Sequence, residues 1–136
     1  MSAWEALRPF LEGLPEACRE RPAFWHLRGL GRSHQGDLLP ARLDLERAAR
    51  MDPRELRFLL DAGHACAELG DWDRAEDHWR QALHLEPASE EALIHLAEAR
   101  RELEDLDGAR RYLRECLLHH PDSGEAQTLL AALEAN

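Results

Sequence analysis

The sequence repeats itself at a step of 34 residues, and a self-match of that length leaves few architectures open. Displacing the chain by that step brings Trp25 over Leu59 and Leu93, Gly29 over Gly63 and Ala97, and Asp37 over Asp71 and Asp105. Leu38, Trp72 and Leu106 form the next column. A second block keeps the same register: Ala41, Ala75 and Ala109; Leu45, Trp79 and Leu113; Ala48, Ala82 and Cys116; Pro53, Pro87 and Pro121. A unit this short cannot bury its apolar face alone, so copies must stack on one another.

The middle copy, residues 56–89, shows what each unit is. Leu56, Leu59, Leu60, Ala62, Gly63, Cys66, Ala67 and Leu69 recur at the three-and-four spacing of one helical face. Gly70 can take the left-handed conformation that closes a helix, and Asp71 or Asp73 offers a carboxylate to the free amides of the next one. A second amphipathic run through Trp72, Ala75, Trp79, Ala82, Leu83 and Leu85 ends before Pro87, which cannot continue it. Two antiparallel helices are predicted.

A helix-turn-helix unit recurring with these small and large columns resembles the tetratricopeptide repeat family over residues 22–123. The resemblance implies an all-α fold, a right-handed superhelical stack of antiparallel helix pairs. Repeats are expected at 22–55, 56–89 and 90–123, preceded by a helical extension at 1–21 and followed by a capping helix at 124–136. In that family the first helices line a concave face that receives a peptide segment of another protein. Mapped onto this chain, the lining comprises His26, Leu27, Leu30, Arg57, Leu60, Asp61, His64, Ile94, His95, Glu98 and Arg101. Leu30, Leu60 and Ile94 are expected as exposed apolar anchors, with Asp61 and Glu98 favouring basic side chains. Were His64 or His95 to meet an anionic ligand group, affinity would rise on acidification. One branch of the family grips chaperone tails with lysines and asparagines; the matching positions here are His26, Leu30, Asp61, Glu91 and His95, so that clamp is absent.

Departures from the pattern carry their own expectations. Arg28, Arg32 and Arg100 stand where apolar residues are usual, and Asp44 on the facing helix is the natural mate of Arg28. The equivalent pairs, Ala62 with His78 and Leu96 with Tyr112, lack such charges, so an Arg28–Asp44 ion pair of about 1 kcal/mol is predicted. Glu104 replaces the turn glycine of the third unit, which should weaken that stop.

Composition removes other classes. Valine and lysine are absent and isoleucine and threonine occur once each, which argues against a sheet. Without lysine there is no phosphate-loop lysine and no Schiff base; HExxH, paired CxxC and GxSxG motifs are missing too. No catalytic residue, cofactor or metal ligand is assigned. Cys66 and Cys116 fall in packing columns, and His119 and His120 suit a helix C-terminus better than a metal. A net charge of -10 excludes a phosphate-backbone binder and favours a basic or apolar protein partner. At 136 residues one domain is expected. No stretch is long enough to enter a membrane, the N-terminus lacks the pattern of a signal peptide, and the all-arginine cations suggest a GC-rich bacterial genome, so a cytoplasmic bacterial protein is expected.

Ser2 and Glu5 form a capping-box pattern ahead of a stripe of Trp4, Leu7, Phe10, Leu11 and Leu14, with Pro9 set to bend or divide the segment. This helix is read either as a lid on the stack or as an arm docking on a partner or a second copy. Ala126, Leu129, Leu130 and Leu133 give the last helix its apolar side. Three roles stay open: a non-catalytic adaptor, a secretion chaperone similar to those of type III translocators, and a self-associating scaffold.

Overall fold

The computed structural model describes residues 2–135. Among them every regular element is helical: eight α-helices, one short 3₁₀ turn and no strand. The contacts divide the chain into two compact units, Met1–Gly70 and Asp71–Asn136, where length alone predicted one domain. A repeating chain makes its contacts between neighbouring helices, not around a single centre. The stretch 56–89 therefore gives its first helix to one unit and its second to the other.

The first unit holds α1 (Ala3–Glu12), the 3₁₀ turn Glu16–Glu20, α2 (Pro22–His34), α3 (Leu38–Met51) and α4 (Leu56–Glu68). The capping box is formed: the Glu5 amide donates to Ser2 Oγ at 3.1 Å and the Ser2 amide to Glu5 Oε2 at 3.0 Å. The helix is not divided at Pro9. Proline removes one backbone bond, whereas Trp4 and Leu11, both buried, anchor the segment on either side of it. Trp4 lies so close over α2 that a Cβ on Gly31 would stand 1.9 Å from its ring, which explains glycine there. Trp4, Leu11, Phe24, Trp25 and Ala48 form this core, with Leu7, Leu14 and Phe58 at its margin. Phe10 is left out of it, 64% exposed. Trp25 Nε1 donates to the Arg19 carbonyl at 2.7 Å and ties the 3₁₀ turn to α2.

The second unit comprises α5 (Trp72–Leu85), α6 (Glu90–Glu102), α7 (Leu106–His119) and α8 (Gly124–Glu134). Each start has a side-chain cap. Asp71 accepts from the Arg74 amide at 3.2 Å, Ser89 from Ala92 at 3.2 Å, Asp105 from Gly108 at 2.9 Å and Ser123 from Ala126 at 3.3 Å. The core gathers Leu93, Ile94, Ala97, Ala109, Leu113, Cys116, Ala126 and Leu133, with Leu129 and Leu130 packed against it. Burial raises the Cys116 thiol above its usual range, and the nearby Glu90 charge adds to the effect.

The turns show how strictly the repeat imposes itself. Gly36 and Gly70 take φ values of 82° and 77°, and Glu104, where a weaker stop was expected, takes 64°. The α6 helix still ends at Glu102. The Asp105 amide reaches the Arg100 carbonyl at 2.8 Å, as the Asp37 amide reaches Arg32 at 3.0 Å. The same closing bond thus holds a glutamate in a conformation that L-residues resist. No described helix is long and apolar enough to cross a membrane.

Candidate functional site

In the first unit the expected lining residues lie on α2 and α4. His26 Nε2 sits 2.7 Å from Asp61 Oδ2, and Arg57 Nη2 is 3.2 Å from Asp61 Oδ1. The His26 ring also packs on Phe58, centroids 4.7 Å apart. Asp61 is consequently engaged by two partners within its own unit and is not an open carboxylate for a ligand cation. Leu60 is only 3% exposed, so it is a core residue and no anchor. Leu27 is exposed and Leu30 half-buried, and these two remain on the surface. His64, exposed, has Nε2 3.4 Å from Glu68 Oε1.

Behind that face the predicted ion pair is present and larger than expected. Arg28 Nε and Nη2 donate to Asp44 Oδ2 and Oδ1 at 2.9 and 3.0 Å, a two-point fork, and Arg32 Nη1 adds a third bond at 2.9 Å. Asp44 is buried. Arg28 also lies over the rings of Trp25 and Phe24, 4.8 and 5.5 Å from their centroids. This cluster fastens α2 to α3 and has structural work to do.

In the second unit the lining residues lie on α6, and α8 joins them. Ile94, 3% exposed, packs into the core, again a correction to the expected anchor. Leu59–Leu60 and Leu93–Ile94 are adjacent apolar pairs, and both members of each pair are buried. His95 stacks on Trp79 with centroids 4.9 Å apart and planes 18° from parallel. Its Nε2 is 3.7 Å from Glu91 Oε1 and its Nδ1 3.6 Å from Glu98 Oε2. Arg101 is exposed beside Glu102, at 3.7 Å. A pocket of about 290 Å³ opens between Glu90, Glu91, Ile94, His95 and Glu125. Ser123 Oγ donates to Glu90 Oε1 at 2.6 Å and steadies one wall. Three carboxylates beside an aromatic-backed imidazole suit a positively charged, partly apolar side chain.

Sequence reasoning did not include Glu90 and Glu125. A signal for Glu125 was present, since the column of Arg57 and Glu91 continues to it one step later. Cys116 is buried in the core, His119 is exposed, and His120 Nε2 is turned against the Ala88 carbonyl in a loop contact.

Family models described as tetratricopeptide repeat match residues 27–90 and 77–133. No curated protein matches the sequence. Among solved structures, the first TPR of Spaghetti (RPAP3) bound to the HSP90 peptide SRMEEVD is similar at a TM-score of 0.78 and 20% identity, covering 85% of this chain and 92% of that one. The second TPR domain of human RPAP3, in complex with the HSP70 peptide SGPTIEEVD, gives 0.74 and 22%, over 83% and 98%. The Yersinia enterocolitica type III secretion chaperone SycD, in complex with a peptide of the translocator YopD, gives 0.75 and 16%, over 82% and 90%. Likeness at these identities speaks for the fold.

Proposed function

The chain belongs to the tetratricopeptide repeat family, and on that premise we propose that it is a non-catalytic adaptor holding a peptide segment of a partner protein against its first-helix faces. The observation that carries this reading is the pocket between α6 and α8, where Glu90, Glu91 and Glu125 surround a space of about 290 Å³ floored by Ile94 and His95. It takes an arginine or lysine of the partner, with the side-chain stem against Ile94 and the Trp79-backed imidazole. On the first unit, Leu27 and Leu30 offer a smaller apolar contact and His64 a polar one. The net charge of -10 supports the same choice of ligand and speeds encounter with it.

An acidic tail such as those in the RPAP3 complexes meets the wrong charge here.

The test uses fluorescent peptides carrying one arginine and the same peptides carrying citrulline in its place. Arginine peptides should bind about tenfold tighter, and Glu91→Gln with Glu125→Gln should erase that preference. An unchanged preference in the double variant would remove the pocket from the mechanism. The likeness to SycD supports a second reading, a chaperone for a secreted client; solubilisation of a client on co-expression distinguishes it. The burial of Trp4 against Gly31 of the same chain supports the lid over the self-docking arm.

A further inference from the structure

A second pocket of the same unit shares no residue with the first and has the opposite character. It measures about 320 Å³ and is lined by Arg80 of α5, Arg100 of α6, the α7 cap Asp105, and Gly108, Arg111, Tyr112 and Glu115 along α7. Its hydrogen-bonding inventory is lopsided. Most of the acceptors are engaged: Asp105 Oδ1 takes the Gly108 amide and Oδ2 takes Arg100 Nη1 at 3.4 Å, while Glu76 Oε1 takes Arg100 Nη2 and is ion-paired with Arg80 Nη2 at 3.0 Å. The second Glu76 oxygen is fully buried and does not face the space.

The donors are in surplus. Each guanidinium carries five N–H groups; the hydrogen bonds just described use two from Arg100, and Arg80 is held by its ion pair to Glu76. Arg111 is exposed and hydrogen-bonded to none of the described residues, its charge reaching Asp105 only through space; Tyr112 is half-buried against the core, and its hydroxyl likewise makes no hydrogen bond among the described residues. A ligand that fills this inventory brings acceptors and negative charge, and guanidinium forks match planar or tetrahedral oxyanions. Two anions stand at the rim: Asp105, already engaged by the Gly108 amide and Arg100, and Glu115, one turn after Arg111 and hydrogen-bonded to none of the described residues, which is the rival a ligand must displace.

We infer that the Arg80–Arg100–Arg111 pocket is an oxyanion site, binding a carboxylate or phosphate group with Arg111 and the Tyr112 hydroxyl as its free donors. The inference stands apart from the peptide reading, because the two pockets have no lining residue in common.

The experiment follows the Gly108 amide and the Tyr112 ring by NMR while inorganic phosphate or glutarate is titrated at constant ionic strength. Saturable shifts with a Kd of about 1 mM or tighter are expected. Tighter binding of phosphate assigns the site to phosphoryl groups, and tighter binding of glutarate to carboxylates. Arg111→Gln, a surface change, should weaken binding about tenfold, whereas Glu115→Gln should strengthen it about threefold by removing the competitor. Shifts that fail to saturate for both anions, binding in Arg111→Gln equal to the parent, or weaker binding in Glu115→Gln would each overturn the site. Glu91→Gln, in the other pocket, is the control and should leave both titrations unchanged.

Discussion

Two buried carboxylates, Asp44 in the first unit and Glu76 in the second, each hold two arginines, yet one cluster is closed and the other borders a cavity. Arg32 and Arg100 occupy the same column of the repeat. Arg32 finds Asp44 on the next helix, whereas the Asp44 column carries Tyr112 in the third repeat, so Arg100 turns to Glu76 on the preceding helix. Asp44 accepts a two-point fork, and the Arg28 plane is covered by Trp25 and Phe24. Around Glu76 no ring covers a guanidinium among the described residues, and Arg80 is 53% exposed. One substitution type, arginine for an apolar residue, therefore makes a fastening where an acid and aromatic rings enclose it, and a donor-rich wall where they do not.

The comparison breaks most directly at the two acids. Asp44→Ala strands Arg28 against Trp25 and Phe24, while the more exposed Arg32 can turn to solvent, and should cost about 4 kcal/mol. Glu76→Ala should cost about 2 kcal/mol, because solvent reaches Arg80 and Asp105 still holds Arg100. Urea unfolding of both variants gives the ranking. Equal costs, or the reverse order, would mean that enclosure does not separate the clusters.

The two units also differ at their turns, and the next change measures that. Glu104 holds φ at 64° where Gly36 and Gly70 hold it without a Cβ penalty. Glu104→Gly should stabilise the protein by about 1 kcal/mol, seen as a higher urea midpoint with the slope unchanged. A loss of stability would show that the Glu104 side chain has a favourable contact of its own.

Much of this was legible from the repeat. Column matching located the helices and the glycine turns, because these depend on local backbone chemistry that recurs with the sequence; of the two acids offered as the cap of α5 the structure uses Asp71, and in its column Asp105 also caps whereas Asp37 makes no side-chain cap bond. Arg28 and Asp44 were readable as mates because the other repeats lack charge at both positions. Arg32 was flagged as an oddity without a mate, although residues four apart on a helix share a face and reach the same acceptor. The surface was misread where one helix meets neighbours on several sides. A single apolar stripe leaves Leu60 and Ile94 outside, but their adjacency to Leu59 and Leu93 widens the buried arc, and all four are core. Neither pocket follows from period alone, since each combines residues of different helices by rotamer and approach.

The smallest expected effect concerns the rim of the oxyanion pocket. The Gly108 amide hydrogen bond, followed by the bond and charge of Arg100, holds the Asp105 carboxyl below its ordinary range. A depressed carboxylate pKa contributes stability that is fully present above the unfolded-state value, about 3.9, and is lost as pH falls through the folded-state value. Asp105→Asn keeps a side-chain oxygen to cap α7 but removes the charge. Its stability should fall slightly below that of the parent at neutral pH, and the two should converge as the pH drops below about 3.9. Arg100 is held more firmly protonated by Glu76 first and Asp105 after it, so it stays charged throughout this window. The second unit thus acquires an acid sensitivity at Asp105, measurable as a pH-dependent gap between two urea midpoints. A gap that stays constant down to low pH would assign the role of Asp105 to its shape as a cap, leaving Arg100 dependent on Glu76 alone.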